Sequence, residues 1–454
     1  METKEAKSSP LENVIYDVAV IGGGPAGMMA AGRAAELLAA EAKIKGETSG
    51  TSNTPHVILI EKNDKLGKKL LITGGGRCNV TNAEFDDRKL LEKFKDNGKF
   101  LFSAFSQWSV KETFDFFHLH QMQTKVEKEL RAFPLSNTAQ SVWDVLVEYI
   151  DKNGVKVLSK SPVIEIITNL VDDANQESGQ GKIVTGVRLK NKKIIRARNV
   201  IIATGGTSRP ETGSTGDGYA WLRKLGHTVI DPTPSLVPIA LKDTWVERLS
   251  GVVLTDIKLT TFQNGVKQDS QKGKLLFTHV GISGPTILNM SKDVGELLKY
   301  GDVTIELDLL PQFDYSTGND RLLQLFREEN NNKLFKNSLQ GLIPAAMAPV
   351  IVELSGIEPE MECNSITREE RISLLKLLKG VPLHVDHLLG IEKAIITSGG
   401  VSLEEVDFKT MRSKLFPNLY LVGDILNIDR PSGGYSLQLC WTTGFVAGNA
   451  VGSP

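Results

Sequence analysis

Residues 16–40 read YDVAVIGGGPAGMMAAGRAAELLAA, and the reading of this stretch decides the fold. Tyr16–Ile21 is a short β-branched run that ends in glycines, and the alanine-rich segment after it favours helix. The order is strand, tight turn, helix. Gly22, Gly24 and Gly27 hold the G-x-G-x-x-G spacing at the turn. The first glycine permits the turn, the second lets a pyrophosphate approach the backbone, and the third lets helix and strand pack closely. The unpaired N–H groups at the helix start then favour the phosphates. A dinucleotide is expected here, in contact with Pro25 and Ala26 as well as the glycines.

Working outward, a polar segment (Lys43–Pro55) precedes a second buried strand, VILI, at 57–60. Glu61 ends that strand, where a carboxylate can take the ribose hydroxyls. It lies 34 positions after Gly27, whereas about 20 is usual. Without the thirteen-residue polar segment the spacing is 21, so that segment is expected to loop into solvent. The next region, 87–149, reads as mostly helical. Short strands follow between 155 and 202, ending in NVIIATGG, whose Ala203, Thr204 and Gly205 are expected at the cofactor. Residues 234–309 carry further strand-like pieces, and 313–379 is a charged, leucine-rich helical block. Strand character returns at KAIITSGG (393–400) and at LYLVGDI, before a final helix through Gly448.

That last strand runs into Gly423 and Asp424, from which a carboxylate can reach ribityl hydroxyls. The helix after it opens with Ser432, Gly433 and Gly434, and its N-terminus can face the pyrimidine edge of a flavin and stabilise negative charge there. Together with the N-terminal turn this favours FAD over NAD. No second G-x-G-x-x-G stands between a strand and a helix, so NADPH is expected, if used at all, as a transient electron donor.

The bulk numbers bound the partners. The 454 residues exceed one ordinary core. Lys plus Arg (53) nearly cancels Asp plus Glu (54), so no global field draws the chain to nucleic acid or to an anionic membrane. Three cysteines without CxxC spacing argue against a disulfide framework or zinc cluster. No stretch has the length of a signal peptide's apolar run or of a membrane span. A cytoplasmic protein with a small-molecule substrate is expected.

Several longer stretches carry a family resemblance: KLGKKLLITGGGRCNVTN (65–82), LLFTHVGISGP (275–285), AIITSGGVSLEEV (394–406) and VGDILNIDRPSGGYSLQ (422–438). With the Gly22 fingerprint they resemble the BaiN/aminoacetone oxidase (YhiN-like) family of FAD-binding flavoproteins, in order over nearly the whole chain. The resemblance implies an α/β fold: a Rossmann-like FAD-binding domain of glutathione-reductase type, an inserted β-barrel-like domain and a small helical domain. The expected limits are 14–211 for the first part of the FAD domain, 212–311 for the barrel and 312–380 for the helices. Residues 381–454 supply a return strand and complete the FAD domain.

The resemblance implies FAD contacts at Gly22, Gly24, Gly27, Glu61 and Lys62, at Gly74, Gly75, Gly76, Arg77, Cys78 and Asn79, and at Gly423, Asp424, Gly433, Gly434 and Tyr435. Lys69 and Val163 are added as expected contacts. Relatives have Gly-Glu, then a V-L-D-V-D-like run, then Gly-Gly-Tyr-Asn, where this chain has Asp424, Asn427 and Ser436. FAD binding survives those changes, while any family-specific catalytic contact in that loop does not carry over directly.

The flavin itself carries the redox step, so few side chains are needed. Cys78, beside Arg77 in a glycine loop, is a candidate for a lowered thiol pKa, against the plainer reading of a packed small hydrophobe. Arg77 suits a phosphate or a carboxylate, and equally a loop-fixing bond. His279 is a candidate proton carrier, although a lone histidine is more often structural. Tyr435 is a candidate for stacking or proton donation, with packing as its plainer reading. His384 and His387 lack further ligands for a metal. The expected activity is FAD-dependent oxidation or reduction of a small organic substrate, held between the FAD domain and the inserted domain. Amine oxidation and enone reduction both remain open. The rivals are an RNA-modifying flavoenzyme, against which the missing basic tract counts, and a flavin-binding protein without turnover.

Overall fold

The structure is a computed structural model that describes residues 14–44, 56–170, 182–390 and 396–452. The N-terminal segment, most of the Lys43–Pro55 insertion and the first residues of KAIITSGG lie outside the described residues.

Ile15–Ile21 is the central strand of a seven-stranded sheet. It is parallel to Val57–Ile60 on one side and to Ile194–Ile202 on the other, with Val20 facing Leu59 and Ile201. Lys156–Leu158 extends the sheet beyond Val57–Ile60. All four residues of VILI are buried, as a parallel strand covered on both faces requires. The strand Ile194–Ile202 is shared along its length. Its first half pairs antiparallel with Lys182–Leu189, and its last three residues pair in parallel with Leu419–Leu421. The chain's tail therefore completes the sheet that its head begins.

Helix Pro25–Ile44 buries Ala26, Ala30, Ala31, Ala34 and Ala35, and the C-terminal helix Tyr435–Gly452 lies against it. A Cβ at Gly444 would stand 2.5 Å from the Ala26 carbonyl oxygen, and one at Gly448 2.6 Å from that of Ala30. The small residues are there to let two backbones approach. The expected helical region is helical at Asp87–Glu92, Gly98–Gln107, Val110–Leu119 and Ala139–Lys152. Two strands inside it, Thr124–Val126 and Arg131–Pro134, form with Thr81–Asn82 a small sheet that the sequence pattern does not announce. Those strands have two to four residues, too few for a period-2 signal.

The chain divides into two compact units, one of residues 1–234 and 396–454 and one of residues 235–395. The division falls after Pro234 rather than at 212, because helix Asp217–Leu225 and all but the last residue of strand Val229–Ser235, which pairs with Ile396–Val401, belong to the first unit. The second unit is built on a closed barrel of Ile239–Leu241, Gly281–Ser283, Val266–Thr278, Val253–Gln263, Val303–Asp308 and Val381–Leu388. Its helices, among them Tyr315–Gln324, Ala348–Ser355 and Arg368–Lys379, share one apolar core with the barrel: Leu322, Ile351 and Leu374 join Ile305 and Leu307. The helical block and the barrel are thus one body, and the last barrel strand lies beyond the block, at 381–388. Among the described residues no helix is long and apolar enough to cross a membrane.

Candidate functional site

The glycine turn is built by close contact. Gly22 has φ +106°, and a Cβ there would lie 2.5 Å from the Ala203 carbonyl oxygen, at the end of the neighbouring strand. A Cβ at Gly27 would overlap the Gly22 carbonyl. Nothing lies within 4 Å of the direction in which a Cβ at Gly24 would point. Backbone is thus pressed together on two sides of the turn and left open on the third, which is the cradle a pyrophosphate requires.

Glu61 is 7% exposed and faces this turn. Its Oε2 accepts the Gly23 N–H at 2.7 Å and its Oε1 the Asn63 N–H at 2.7 Å. Each carboxylate oxygen keeps a further lone pair for a ribose hydroxyl. Val163 starts a strand two residues beyond Ser161, whose N–H donates to the Glu61 carbonyl at 2.9 Å. Lys62 is turned to the helix Asp217–Leu225, with Nζ 2.7 Å from Asp217 Oδ2 and 2.5 Å from Thr215 Oγ1. Lys69 Nζ donates to Ser208 Oγ at 2.6 Å and stands 3.6 Å from Asp424 Oδ2.

The TGGGRCN loop is held by its arginine. Arg77 Nη2 donates to Glu127 Oε1 at 2.5 Å and to Asn137 Oδ1 at 2.7 Å, and the guanidinium lies 4.1 Å over the Phe133 ring. Of the two roles open to Arg77, the loop-fixing one is the one its contacts fill. With its amide nitrogen toward the Thr81 and Ala132 carbonyls (3.0 and 3.1 Å), Asn79 accepts the Gly434 N–H through its oxygen at 3.0 Å. The loop is thereby tied to the chain's tail. A Cβ at Gly75 or Gly76 would meet nothing within 4 Å, so this loop too has an open side. Cys78 is fully buried, and burial pushes its thiol up to about 12. The lowered pKa considered for it is reversed, because desolvation of the buried sulfur outweighs the Thr73 hydrogen bond that favours the thiolate.

The tail supplies the third wall. Gly423 N–H donates to Thr443 Oγ1 at 3.0 Å, and Tyr219 Oη donates to the Asp424 carbonyl at 2.9 Å. Burial works to raise the Asp424 carboxyl, but Arg430 and Lys69 outweigh it and hold it below the usual range. Gly434 has φ +103°, and a Cβ there would collide with the Thr81 backbone. Asn82 Nδ2 donates to the Gly433 carbonyl at 3.2 Å, and Thr81 Oγ1 donates to Gln438 Oε1 at 2.6 Å. Tyr435 is buried edge-on to Phe94 at 5.9 Å, and burial raises its phenol. At the end of Ile194–Ile202, Ala203 N–H donates to the Ile21 carbonyl at 2.8 Å, which sets Thr204 and Gly205 beside the glycine turn.

Head, glycine loop and tail therefore meet. His279 belongs to the other unit, where it is exposed in the turn between Val266–Thr278 and Gly281–Ser283. His384 pairs with Asp243 at 2.9 Å and His387 with Asp386 at 2.9 Å, each separately. Arg430 and Gln438 are the residues sequence reasoning missed. A buried cation inside a Pro/Gly/Ser loop carries no periodicity that would mark it, and the only hint was its place between Asp424 and the paired glycines.

A mixed sheet whose parallel strands carry a glycine turn, a strand-end carboxylate and a closing C-terminal strand is the architecture of an FAD-dependent oxidoreductase, and the open sides of both glycine loops fit that cofactor. The chain belongs to the HI0933-like family, whose Rossmann-domain model matches residues 16–450. It is 28% identical over 442 residues to the 3-dehydro-bile acid delta(4,6)-reductase of Clostridium scindens, spanning 96% of this chain and 98% of that protein. It is equally 28% identical over 433 residues to the ribosomal RNA dihydrouridine synthase of Escherichia coli, spanning 94% and 96%. Among solved structures, the 3-ketosteroid delta1-dehydrogenase of Sterolibacterium denitrificans is similar with a TM-score of 0.51 at 15% identity, over 96% of this chain and 99% of that one. An open flavocytochrome c3 fumarate reductase has a TM-score of 0.51 at 15% identity, over 97% and 78%. At such identities these two structures speak for the fold alone.

Proposed function

We propose that this chain uses FAD to saturate a carbon–carbon double bond conjugated to a carbonyl in a small organic substrate, with NADPH as a docking electron donor. The observation that carries the flavin part is the placement of Glu61, the open face of Gly24 and the ionised Asp424 just after the C-terminal ends of the sheet's parallel strands. The choice of reaction is supported by the relatives' names. A 3-dehydro delta(4,6) substrate has its double bonds in line with a ketone, and dihydrouridine is uridine whose ring double bond beside a carbonyl is saturated. Both are hydride additions to the same kind of acceptor, which ranks enone reduction above amine oxidation.

When bound, FAD accepts and delivers hydride at its ring N5. The chain's residues do the rest. Glu61 would take the ribose hydroxyls of the adenosine half, and Asp424 those of the ribityl chain. The N–H groups that open Tyr435–Gly452 would face the pyrimidine edge. Tyr435, whose phenol burial keeps protonated through the neutral range, is a candidate for holding the proton that the substrate carbon takes up. His279, exposed on the barrel unit, is the other. The buried Cys78 thiol leaves that role.

Anaerobic stopped-flow absorbance tests the reading. NADPH should bleach the flavin band, and a 4-en-3-one steroid should restore it. Bleaching by aminoacetone with no response to NADPH would overturn the reductase in favour of an oxidase. A second reading, reduction of a uridine within RNA, is favoured by the E. coli relative's name, while the near balance of 53 basic and 54 acidic residues stands against it. Restoration of the band by ribosomal RNA and by no enone would select it.

A further inference from the structure

Asp424 follows the strand Leu419–Leu421, and six residues on the chain places a fully buried arginine. Every face of the Arg430 guanidinium is committed: Nη2 donates to Asp424 Oδ1, Nε to Ser436 Oγ at 3.0 Å and Nη1 to the Ile428 carbonyl at 2.7 Å. Lys69 comes to Asp424 from the other side, 3.6 Å from Oδ2. Two cations, Arg430 and Lys69, thus meet the Asp424 carboxylate. The Cys440 thiol, beside Gly423, is raised chiefly by burial and further by Asp424, while Arg430 and Lys69 pull the other way.

An Asp–Arg pair alone would be electrically neutral and could be replaced by apolar side chains at little cost. Lys69, about a quarter exposed, brings a second cation to the same carboxylate. The charge also has a direction. Ser436 lies in the first turn of Tyr435–Gly452, so the guanidinium sits at the positive end of that helix, where both contributions have the same sign. Asp424 and Ser436 are both bound to Arg430, which ties the strand end to the first turn of the helix.

We propose that Arg430, with Lys69, places positive charge beside the pyrimidine edge of the bound flavin and thereby raises its reduction potential, favouring the negative charge the ring takes on when reduced. Arginine suits the place because its planar fork satisfies a carboxylate, a hydroxyl and a carbonyl at once and keeps its charge at any working pH. The inference rests on the FAD reading of the Gly423–Tyr435 segment.

The test uses purified holoprotein, with Arg430→Met, Arg430→Lys and Lys69→Met beside the unaltered chain. Two quantities are read: the midpoint potential, by equilibration with a reference dye, and the Kd for sulfite, whose addition leaves negative charge on the flavin ring. With FAD still bound, Arg430→Met should weaken sulfite binding about tenfold or more and shift the reduced-to-oxidised ratio by a similar factor, about 30 mV for a two-electron couple. Arg430→Lys should recover most of both. Unchanged potential and sulfite affinity in Arg430→Met overturn the proposal. Should that variant fail to fold or lose FAD, Lys69→Met decides: a shift in the same direction supports the proposal, and none overturns it. An unaltered chain that takes up no FAD would instead defeat the flavin reading itself.

Discussion

Glu61 reaches across the glycine turn to accept the N–H of Gly23 at 2.7 Å, so one carboxylate both fixes the turn and faces the place where a ribose would lie. Removing its charge takes away a charge-assisted bond worth about 1.5–3 kcal/mol. Glu61→Gln should therefore weaken FAD binding about 10- to 100-fold, and Glu61→Ala more. Titration of the apoprotein followed by flavin fluorescence checks this. Affinity within twofold of the unaltered chain would remove Glu61 from the cofactor's contacts.

At the same turn, Gly27→Ala would drive a methyl group into the Gly22 carbonyl. The Gly22 backbone on one side and the Ala203 methyl on the other cannot rotate away, so a loss of about 1–3 kcal/mol is expected, together with poorer flavin retention. Gly24→Ala meets open space and should leave the melting temperature nearly unchanged while still obstructing the pyrophosphate. Thermal melts of both apoproteins distinguish packing from cofactor contact. Equal destabilisation by the two substitutions would refute the distinction.

Cys78, Cys363 and Cys440 are all buried, and burial pushes the first and last up to about 12. An aromatic disulfide reagent should label the native protein slowly and reach three equivalents only on denaturation. Cys78→Ala should keep turnover within about twofold, because a buried neutral thiol transfers no proton at working pH. A hundredfold drop in kcat with FAD still bound would restore Cys78 as a catalytic candidate.

His227 sits between Glu405 Oε2 and Ser413 Oγ, 3.0 Å from each. Ser413 Oγ already accepts the N–H groups of Leu415 and Phe416, so its proton goes to Nε2 and the imidazole is neutral with its proton on Nδ1. Burial lowers the pKa and outweighs the opposing pull of Glu405. The unfolded chain takes up the proton below about pH 6.5 while the fold refuses it. The stability contributed by this histidine is thus present above that pH and is lost as pH falls through the depressed folded pKa. Denaturant melts at pH 7.5 and 5.5 should show the loss, and His227→Gln should flatten it. An unaltered slope in that variant would assign the loss to other groups.

Much of the fold was legible because its signals are local. YDVAVIGGGPAG states strand, turn and helix within a dozen residues, and each step follows from β-branching, from glycine or from alanine spacing in the residues themselves. The buried run at 57–60, the helix at 139–152 and the strand before Gly423 and Asp424 read in the same way. The short sheet around Thr81 and the single core of barrel and helices did not, since neither has a period long enough to detect.

The glycines, Glu61 and Asp424 were determined by the sequence alone, because each marks the end of a strand or the opening of a turn that local chemistry already dictates. What each side chain does was left to the tertiary structure. Arg77 meets Glu127 and Asn137 across 50 and 60 residues, and Lys69 meets Ser208 across 139. The same folding buried Cys78 and made Arg430 the partner of both Asp424 and Ser436. Charge state and hydrogen-bond partners depend on which atoms arrive within about 3 Å once water is gone, and distances along the chain do not encode that.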